Sequence, residues 1–469
     1  MDSSLIVPIL VLGLGCLLAF GVVGRRQATI PLGVAGSLAL GPGIAAGCLS
    51  LGSFFSVVAG MGQPGLGSFL AIAVVFGTAI FLAAGHRRSS ISHADPLPRW
   101  DVAVGWVVSA ALAVGYFWSF TRSLDNRPLG SYDAMGIWTY RALQWFRSGE
   151  SFPEIIGLLV ESQPGYPLLL PGLIVSQFNL WGGESIAIVV ATGWFFVIGL
   201  AAVTYFAVAR WARPGAALAA MALLLSTPNV WRSAFAQIAD LPLAYLTLTA
   251  AVGLTDLVVG GEHRSVPAWL TGFFLGLMVW TKNEGMVFSL ILVAVFAFWA
   301  WISRGRLDLR GWVAVAFGSV PGVLATVIYK YAWVTTGEID RYLGWELFSR
   351  LADPQRWYDV AAAFAAQLLP GSNGALWGGT WLVLAGLLVV SAIRQRPGTV
   401  GRIAAMYGIA FGLFFVFDFA VYLITPEPLQ WHLQTSLDRL LLQILPIGVV
   451  AASIWCAGDA KSQGETLIV

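Results

Sequence analysis

Apolar residues run along this chain in stretches too long for the core of a soluble domain, separated by short polar or basic breaks. About 20 apolar residues are needed to cross the hydrocarbon of a bilayer. The pattern predicts about thirteen such spans, near residues 4–23, 32–58, 67–85, 102–120, 185–209, 214–229, 240–259, 267–281, 285–303, 312–333, 375–393, 403–424 and 438–457. Two breaks are long, about 121–184 and 334–374. Both carry apolar residues at helical spacing, Met135, Trp138, Ala142 and Trp145 in one and Tyr342, Trp345, Phe348 and Leu351 in the other. Tryptophan-rich amphipathic helices of this kind lie in the plane of a membrane interface. The expected fold is therefore all-α: a polytopic transmembrane helical bundle decorated by interfacial helices in its outer loops.

Basic residues orient the spans, because short cytoplasmic loops are enriched in lysine and arginine. Arg25 and Arg26, His86 to Arg88, Arg210 with Arg213, Arg264, the run RGRLDLR at 304–310, and Arg394 with Arg396 and Arg402 fall in alternate breaks. Those breaks are expected inside, with the N-terminus outside and the C-terminus inside. The N-terminal apolar run is led by Asp2 rather than by a basic patch, so it is read as a span and not as a signal peptide.

Composition agrees with this picture. Of 469 residues 58% are hydrophobic and 11% charged, against about a quarter charged in soluble domains. A formal net charge of +2 gives no reason to expect a nucleic-acid partner. Cys16, Cys48 and Cys456 are far apart in apolar segments and read as small core hydrophobes. The chain has no GxxxxGK[ST] phosphate loop and no GxGxxG between strand and helix, so its chemistry is expected at the membrane.

A few ionisable residues then need explaining. Asp133 opens the aromatic stretch GSYDAMGIWTYRALQWF, where a helix N-cap worth about 1 kcal/mol is the plain alternative. Asp240, in FAQIADLPLAYL, could equally cap its span, with Pro242 in the first turn. Lys282 and Glu284 lie in WTKNEG between two nearly abutting spans, where an ionisable group at membrane depth costs about 2.5–3.5 kcal/mol. His432, Asp438 and Arg439 lie in LQWHLQTSLDRLLLQILP; an arginine there could also hold lipid phosphates, and a lone histidine beside tryptophan is usually structural. Asp418, in FVFDFAVY, receives no role. The orientation puts Asp133, Asp240, Lys282 and Arg439 on the outer side at span ends. Two acids and two bases on one face suit group transfer from an anionic lipid, with a carboxylate as base and cations at the departing phosphate.

The ordered set of Asp133 with its aromatic helix, QPGYPLLLP, ADLPLAY, WTKNEG and SLDRLLLQILP resembles the GT-C superfamily of polytopic glycosyltransferases. The likeness is to bacterial members related to the protein O-mannosyltransferases and the lipid A aminoarabinose transferase, over roughly residues 100–457. It implies a catalytic domain at 100–469 preceded by helices of undefined role at 1–99. It further implies inverting transfer of a sugar from a polyprenyl-phosphate donor to a hydroxyl of a lipid or glycan acceptor. The setting would be the outer, periplasmic face of a bacterial inner membrane. By the same resemblance the catalytic pair is Asp133, the base, and Asp240, a second acidic position that shapes the site or binds a metal where one is used, with Lys282 and Arg439 the donor-phosphate ligands. Tyr166, Glu284 and His432 are further substrate-contact candidates. Ala134 after Asp133 and Gly165 before Tyr166 depart from the relatives' acidic or basic residues, so a divalent metal stays open and no ligand set is assigned. The alternative from another class is a lipid or small-molecule transporter or flippase, which would place its ionisable residues near the bilayer midplane between repeated halves.

Overall fold

The computed structural model describes residues 2–23, 30–61, 121, 128–159, 162–259, 266–304, 308–334, 346–369, 374–394 and 398–457. Most of those residues are helical, with no strand among them. The expected spans at 67–85 and 102–120 lie outside the described residues, as do Tyr342 and Trp345. Eight described helices are long and apolar enough to cross a membrane by length and composition. Of the remaining expected spans, 214–229, 267–281 and 375–393 are shorter apolar helices, so a count of thirteen does not emerge.

In chain order the helices are α1 (Ile6–Val23), α2 (Ile30–Val58), α3 (Thr139–Ser148), α4 (Phe152–Ile156), α5 (Leu169–Trp181), α6 (Ile186–Ala209), α7 (Pro214–Leu225), α8 (Pro228–Ala236) and α9 (Asp240–Val259). There follow α10 (Ala268–Thr281), α11 (Asn283–Arg304), α12 (Leu309–Ile328), α13 (Glu346–Ala352), α14 (Pro354–Leu368), α15 (Gly374–Trp377), α16 (Thr380–Arg394), α17 (Thr399–Ile424) and α18 (Leu429–Ala457). Two π-helical turns, Ala134–Trp138 and Tyr329–Trp333, lead into α3 and extend α12. α9 is the centre of the bundle: every residue from Asp240 to Val258 is buried. Large apolar side chains stay exposed on the outer helices, among them Leu17, Leu290, Phe317 and Val416, as a lipid-facing surface requires.

Where apolar matter surrounds the helices, burial in water's absence does not drive association; close packing of small residues does. α10 and α12 show this directly. Gly272 and Gly276 on one and Gly318 and Gly322 on the other form two small-xxx-small patterns. A methyl group on any of the four would overlap a backbone carbonyl of the partner helix. Gly285 works likewise against the Met278 carbonyl and lets α10 and α11 fold back tightly at WTKNEG.

α2 belongs to the same core. Pro42 interrupts it, and there the Tyr245 hydroxyl of α9 accepts from Gly43 N at 2.9 Å and donates to Ala39 O at 2.7 Å. The hydroxyl thus bridges a broken i to i−4 link of the helix. Trp280 Nε1 donates to Ser50 Oγ at 2.9 Å, which ties α10 to α2 as well. At the far end of α9, Asp256 pairs with Arg210 of α6 and accepts from Val266 N at 2.8 Å, pinning α6, α9 and the approach to α10 together.

One expectation for the outer segment 121–184 is corrected. Its apolar residues Trp138, Ala142 and Trp145 are fully buried, while Met135 stays exposed. They pack in protein instead of lying along a lipid interface, because α5, a helix of 13 residues, fills the space beside them with Leu169 to Phe178 all buried. α5 is too short and too framed by proline to read as a span from sequence. In the second outer segment the described positions Phe348 and Leu351 are exposed.

Candidate active site

Asp133 stands at the head of the first π-helical turn but does not cap it: its side chain makes no capping bond. Ser131 does that work, accepting from Ala134 N at 3.3 Å. The preceding turn is fastened to the end of α8, just ahead of α9, with Ser131 N and Oγ donating to Ala236 O at 3.2 and 3.0 Å and Gln237 Nε2 donating to Pro128 O at 3.1 Å. Gly130 takes a positive φ of 70° in that turn, a conformation glycine adopts without strain. Stitching the loop onto residues 236–237 brings Asp133 next to Asp240, 107 positions later in the chain.

Asp240, the first residue of α9, is fully buried. Its carboxylate accepts from Lys282 Nζ at 2.9 Å and Gln443 Nε2 at 2.5 Å on one oxygen, and from Arg439 Nε at 3.1 Å and Nη2 at 3.0 Å on the other. Arg439 continues to Asp133, with Nη1 2.5 Å from Oδ2. Lys282 continues to Glu284, with Nζ 3.0 Å from Oε1. The result is one chain of ion pairs, Asp133–Arg439–Asp240–Lys282–Glu284. Burying charges is tolerable when they are paired and hydrogen-bonded in this way. The side chains of Asp133 and Arg439 keep 29% and 21% of their exposure, whereas Lys282 keeps 3%. The open end of the chain is therefore Asp133 with Arg439. Among the described residues Asp133 has no hydrogen-bond partner other than Arg439, which leaves Oδ1 available to a ligand.

The network lies at the head of a cavity of about 2560 Å³, to which Asp133, Tyr166, Asp240, Lys282, Glu284 and Arg439 all contribute. Sites for small ligands run to about 1,000 Å³, so this one has room for a head and a long tail. Its apolar arm is a helical stripe of α12, through Trp312, Val315, Ser319, Val323 and Val327 to Lys330, facing Met286, Leu290 and Val293 of α11. The stripe covers roughly 27 Å of helix at the usual rise per residue, close to the thickness of a bilayer's hydrocarbon. Leu290, Val323 and Val327 are exposed along it, so the arm is open at the side.

Tyr166 lies beneath the network, with Lys282 Nζ 5.6 Å from its ring centroid. Burial pushes its phenol well above the usual range, and Glu284 adds to this, so it faces the cavity as a neutral hydroxyl. Arg141 holds its loop: fully buried, it donates from Nη1 to Tyr166 O at 2.6 Å, while Tyr329 OH donates to Pro164 O of the same loop. His432 lines the cavity outside the ion-pair chain, within 3.0 Å of Thr425 Oγ1 and beside the Tyr422 ring. Asp438 pairs with Arg232 of α8.

The structure thus unites Asp133, Asp240, Lys282, Glu284 and Arg439, places Tyr166 against them and leaves His432 to one side. Sequence reasoning missed Gln443, Arg141 and Lys330. Gln443 was findable, one helical turn beyond Arg439 on the same face. Asp418 is also fully buried, and neither of its carboxylate oxygens has a donor among the described residues. The ring pairs Phe288–Phe414 and Phe296–Tyr407 set α11 and α17 antiparallel, which puts Asp418 and Glu284 one turn beyond the first pair on the same side. Among the described residues no group of three or more His, Cys, Asp or Glu side chains is arranged to hold a metal ion; Asp133 and Asp240 instead share the Arg439 guanidinium. The three cysteines are not joined in a disulfide. Comparison with protein-family models, with curated proteins and with solved structures gives no match.

Proposed function

We propose that this chain is a membrane glycosyltransferase of the GT-C kind, moving a sugar from a polyprenyl-phosphate donor to an acceptor hydroxyl. The observation that carries the proposal is the join of a partly open Asp133–Arg439 pair to an apolar, side-opening arm about as long as a membrane is thick. A head with a carboxylate and cations, continued by a tail-sized groove, fits a lipid-linked anion better than a freely soluble one. The resemblance in the ordered motifs points the same way.

In this reading the acceptor hydroxyl stands at Asp133 Oδ1, while Arg439 fixes the carboxylate through Oδ2. The acceptor oxygen attacks the anomeric carbon, its proton passes to Asp133, and the bond from that carbon to the phosphate oxygen breaks. The electron pair leaves on the phosphate, so the products are the inverted glycoside and polyprenyl phosphate. Arg439, with its residual exposure, faces the developing charge. Lys282, enclosed by Asp240 and Glu284, acts on the phosphate only through them, holding the network in register. Tyr166 and Glu284 line the space where the sugar would sit.

The test is Asp133→Asn, in purified protein supplied with lipid-linked sugars extracted from its host membranes, release of polyprenyl phosphate being read by mass spectrometry. General-base catalysis contributes about 10²–10⁴-fold, so turnover should fall by about that factor with thermal unfolding unchanged. A variant that turns over like wild type removes Asp133 from the mechanism. If wild type itself releases none from any such donor, the transporter reading takes over.

A further inference from the structure

The cavity has a second wall, made by α8, the first turns of α18 and the Asp133 loop, and its chemistry differs from that of the arm. The arm presents valine, leucine and methionine; this wall presents hydroxyls, amides and aromatic rings. Tyr132, the neighbour of Asp133, and Trp431, near the start of α18, both line it and remain 81% and 53% exposed. Trp138 and Trp145, by contrast, are fully buried. The helix that delivers Arg439 to Asp133 carries Trp431 eight positions earlier, about 12 Å away along its axis at the usual rise. Gln434 and Thr435 are exposed between them and line the same cavity. The Tyr132 hydroxyl, the Trp431 indole N–H and the Gln434 amide have no hydrogen-bond partner among the described residues. The charges on this side are already engaged: Arg232 of α8 pairs with Asp438, and Arg439 is shared by Asp133 and Asp240. Glu427, just ahead of α18, adds a further acid, so an anionic ligand gains nothing there.

A sugar ring carries C–H groups on its faces and hydroxyls on its edge. The electron-rich face of an aromatic ring attracts the C–H groups, while amide and hydroxyl side chains answer the edge as both donors and acceptors. Resting on the proposed glycosyltransferase, we infer that the wall between α8 and α18 is the acceptor subsite and that the acceptor is an uncharged saccharide, not a lipid hydroxyl. Its terminal residue lies beside the Tyr132 ring and places a hydroxyl at Asp133 Oδ1. A further ring packs on Trp431, with Gln434 and Thr435 at its hydroxyls. The hydroxyl that attacks the anomeric carbon then belongs to this saccharide, and its proton passes to Asp133 as above. Donor and acceptor are thereby told apart by the two walls: an apolar chain takes the arm between α11 and α12, and a hydroxyl-rich chain takes the aromatic and amide wall.

The experiment is saturation-transfer NMR on the whole purified chain in detergent, with neutral oligosaccharides cut from the host cell envelope as the probe and diacylglycerol as competitor. Wild type should bind the oligosaccharides. Trp431→Ala and Tyr132→Ala should each weaken binding by about three- to tenfold, the weight of one aromatic contact, and Trp431→Phe should keep most of the affinity. Both side chains are exposed, so the variants should melt like wild type, and an unchanged melt shows that they are folded. Wild type that binds no such oligosaccharide overturns the saccharide acceptor. Affinity unchanged in both alanine variants overturns the subsite, and displacement of the oligosaccharide by diacylglycerol gives the wall to a lipid. Release of polyprenyl phosphate from the extracted lipid-linked sugars tells this failure from that of the enzyme. Trp431-dependent oligosaccharide binding without release sinks the transferase and keeps the saccharide site. Release that ignores both Trp431→Ala and added oligosaccharide does the reverse.

Discussion

Asp240 concentrates the energetics of the site, since one fully buried carboxylate holds Lys282, Arg439 and Gln443 at once. Breaking a buried pair by removing one partner costs about 3–5 kcal/mol, because the remaining charge loses its compensation. Asp240→Ala leaves Lys282 with Glu284 and Arg439 with Asp133, so the loss should fall near 3 kcal/mol, toward the lower end of that range. A thermal melt in detergent should show a clearly lowered transition. A melt like that of wild type would mean that the three donors find other partners at no cost. Asp133 differs in kind: it is partly exposed, does not cap its helix, and should be nearly silent in the same melt while governing turnover. The sequence left both capping and chemistry open for each of the two acids. What separates them is Ser131, whose hydroxyl takes the capping bond, and no local pattern announces which of two neighbouring polar residues will do so.

At the scale of elements, the α10–α12 contact is set by Gly272, Gly276, Gly318 and Gly322. Their backbones approach so closely that any side chain must push the helices apart, and these two helices carry both the WTKNEG hairpin and the Lys330 stripe. Overpacking of a tight contact costs about 1–3 kcal/mol, occasionally more. Gly272→Val should therefore lower the melting transition and weaken lipid binding together. Gly408 of α17 is the control, because a methyl group there meets nothing within 4 Å; Gly408→Ala should be neutral or stabilising by up to about 1 kcal/mol. Equal effects of the two changes would remove close approach as the cause. Long spans such as α6, α9 and α17 were legible as hydrophobic runs because they exceed the length a bilayer demands. α5 was not, since 13 residues behind QPGYP look like a loop when only length and composition speak. The π-helical turns at 134–138 and 329–333 have no signature in hydrophobic spacing, which is why Lys330 escaped notice.

For the whole molecule, the convergence of Asp133, Asp240, Lys282 and Arg439 was inferred from sidedness alone, and in the structure these residues touch. The cavity that extends from them could not be inferred, because it is a gap between α11 and α12, and sequence patterns describe what helices bury rather than where they part. Nor could sequence foresee that the cations would be taken up by carboxylates, since pairing across 199 positions, as between Asp240 and Arg439, depends on the packed bundle. Head and arm together make the central claim a claim about a ligand: a lipid with an anionic, sugar-bearing head. The most direct measurement is native mass spectrometry of the chain purified gently from its membranes, with fragmentation of whatever lipid comes with it. The account predicts a bound polyprenyl phosphate or its sugar conjugate, the mass of the conjugate naming the sugar. A cavity that yields only bulk phospholipid, and refuses polyprenyl phosphate supplied in excess while the protein stays folded, would contradict it.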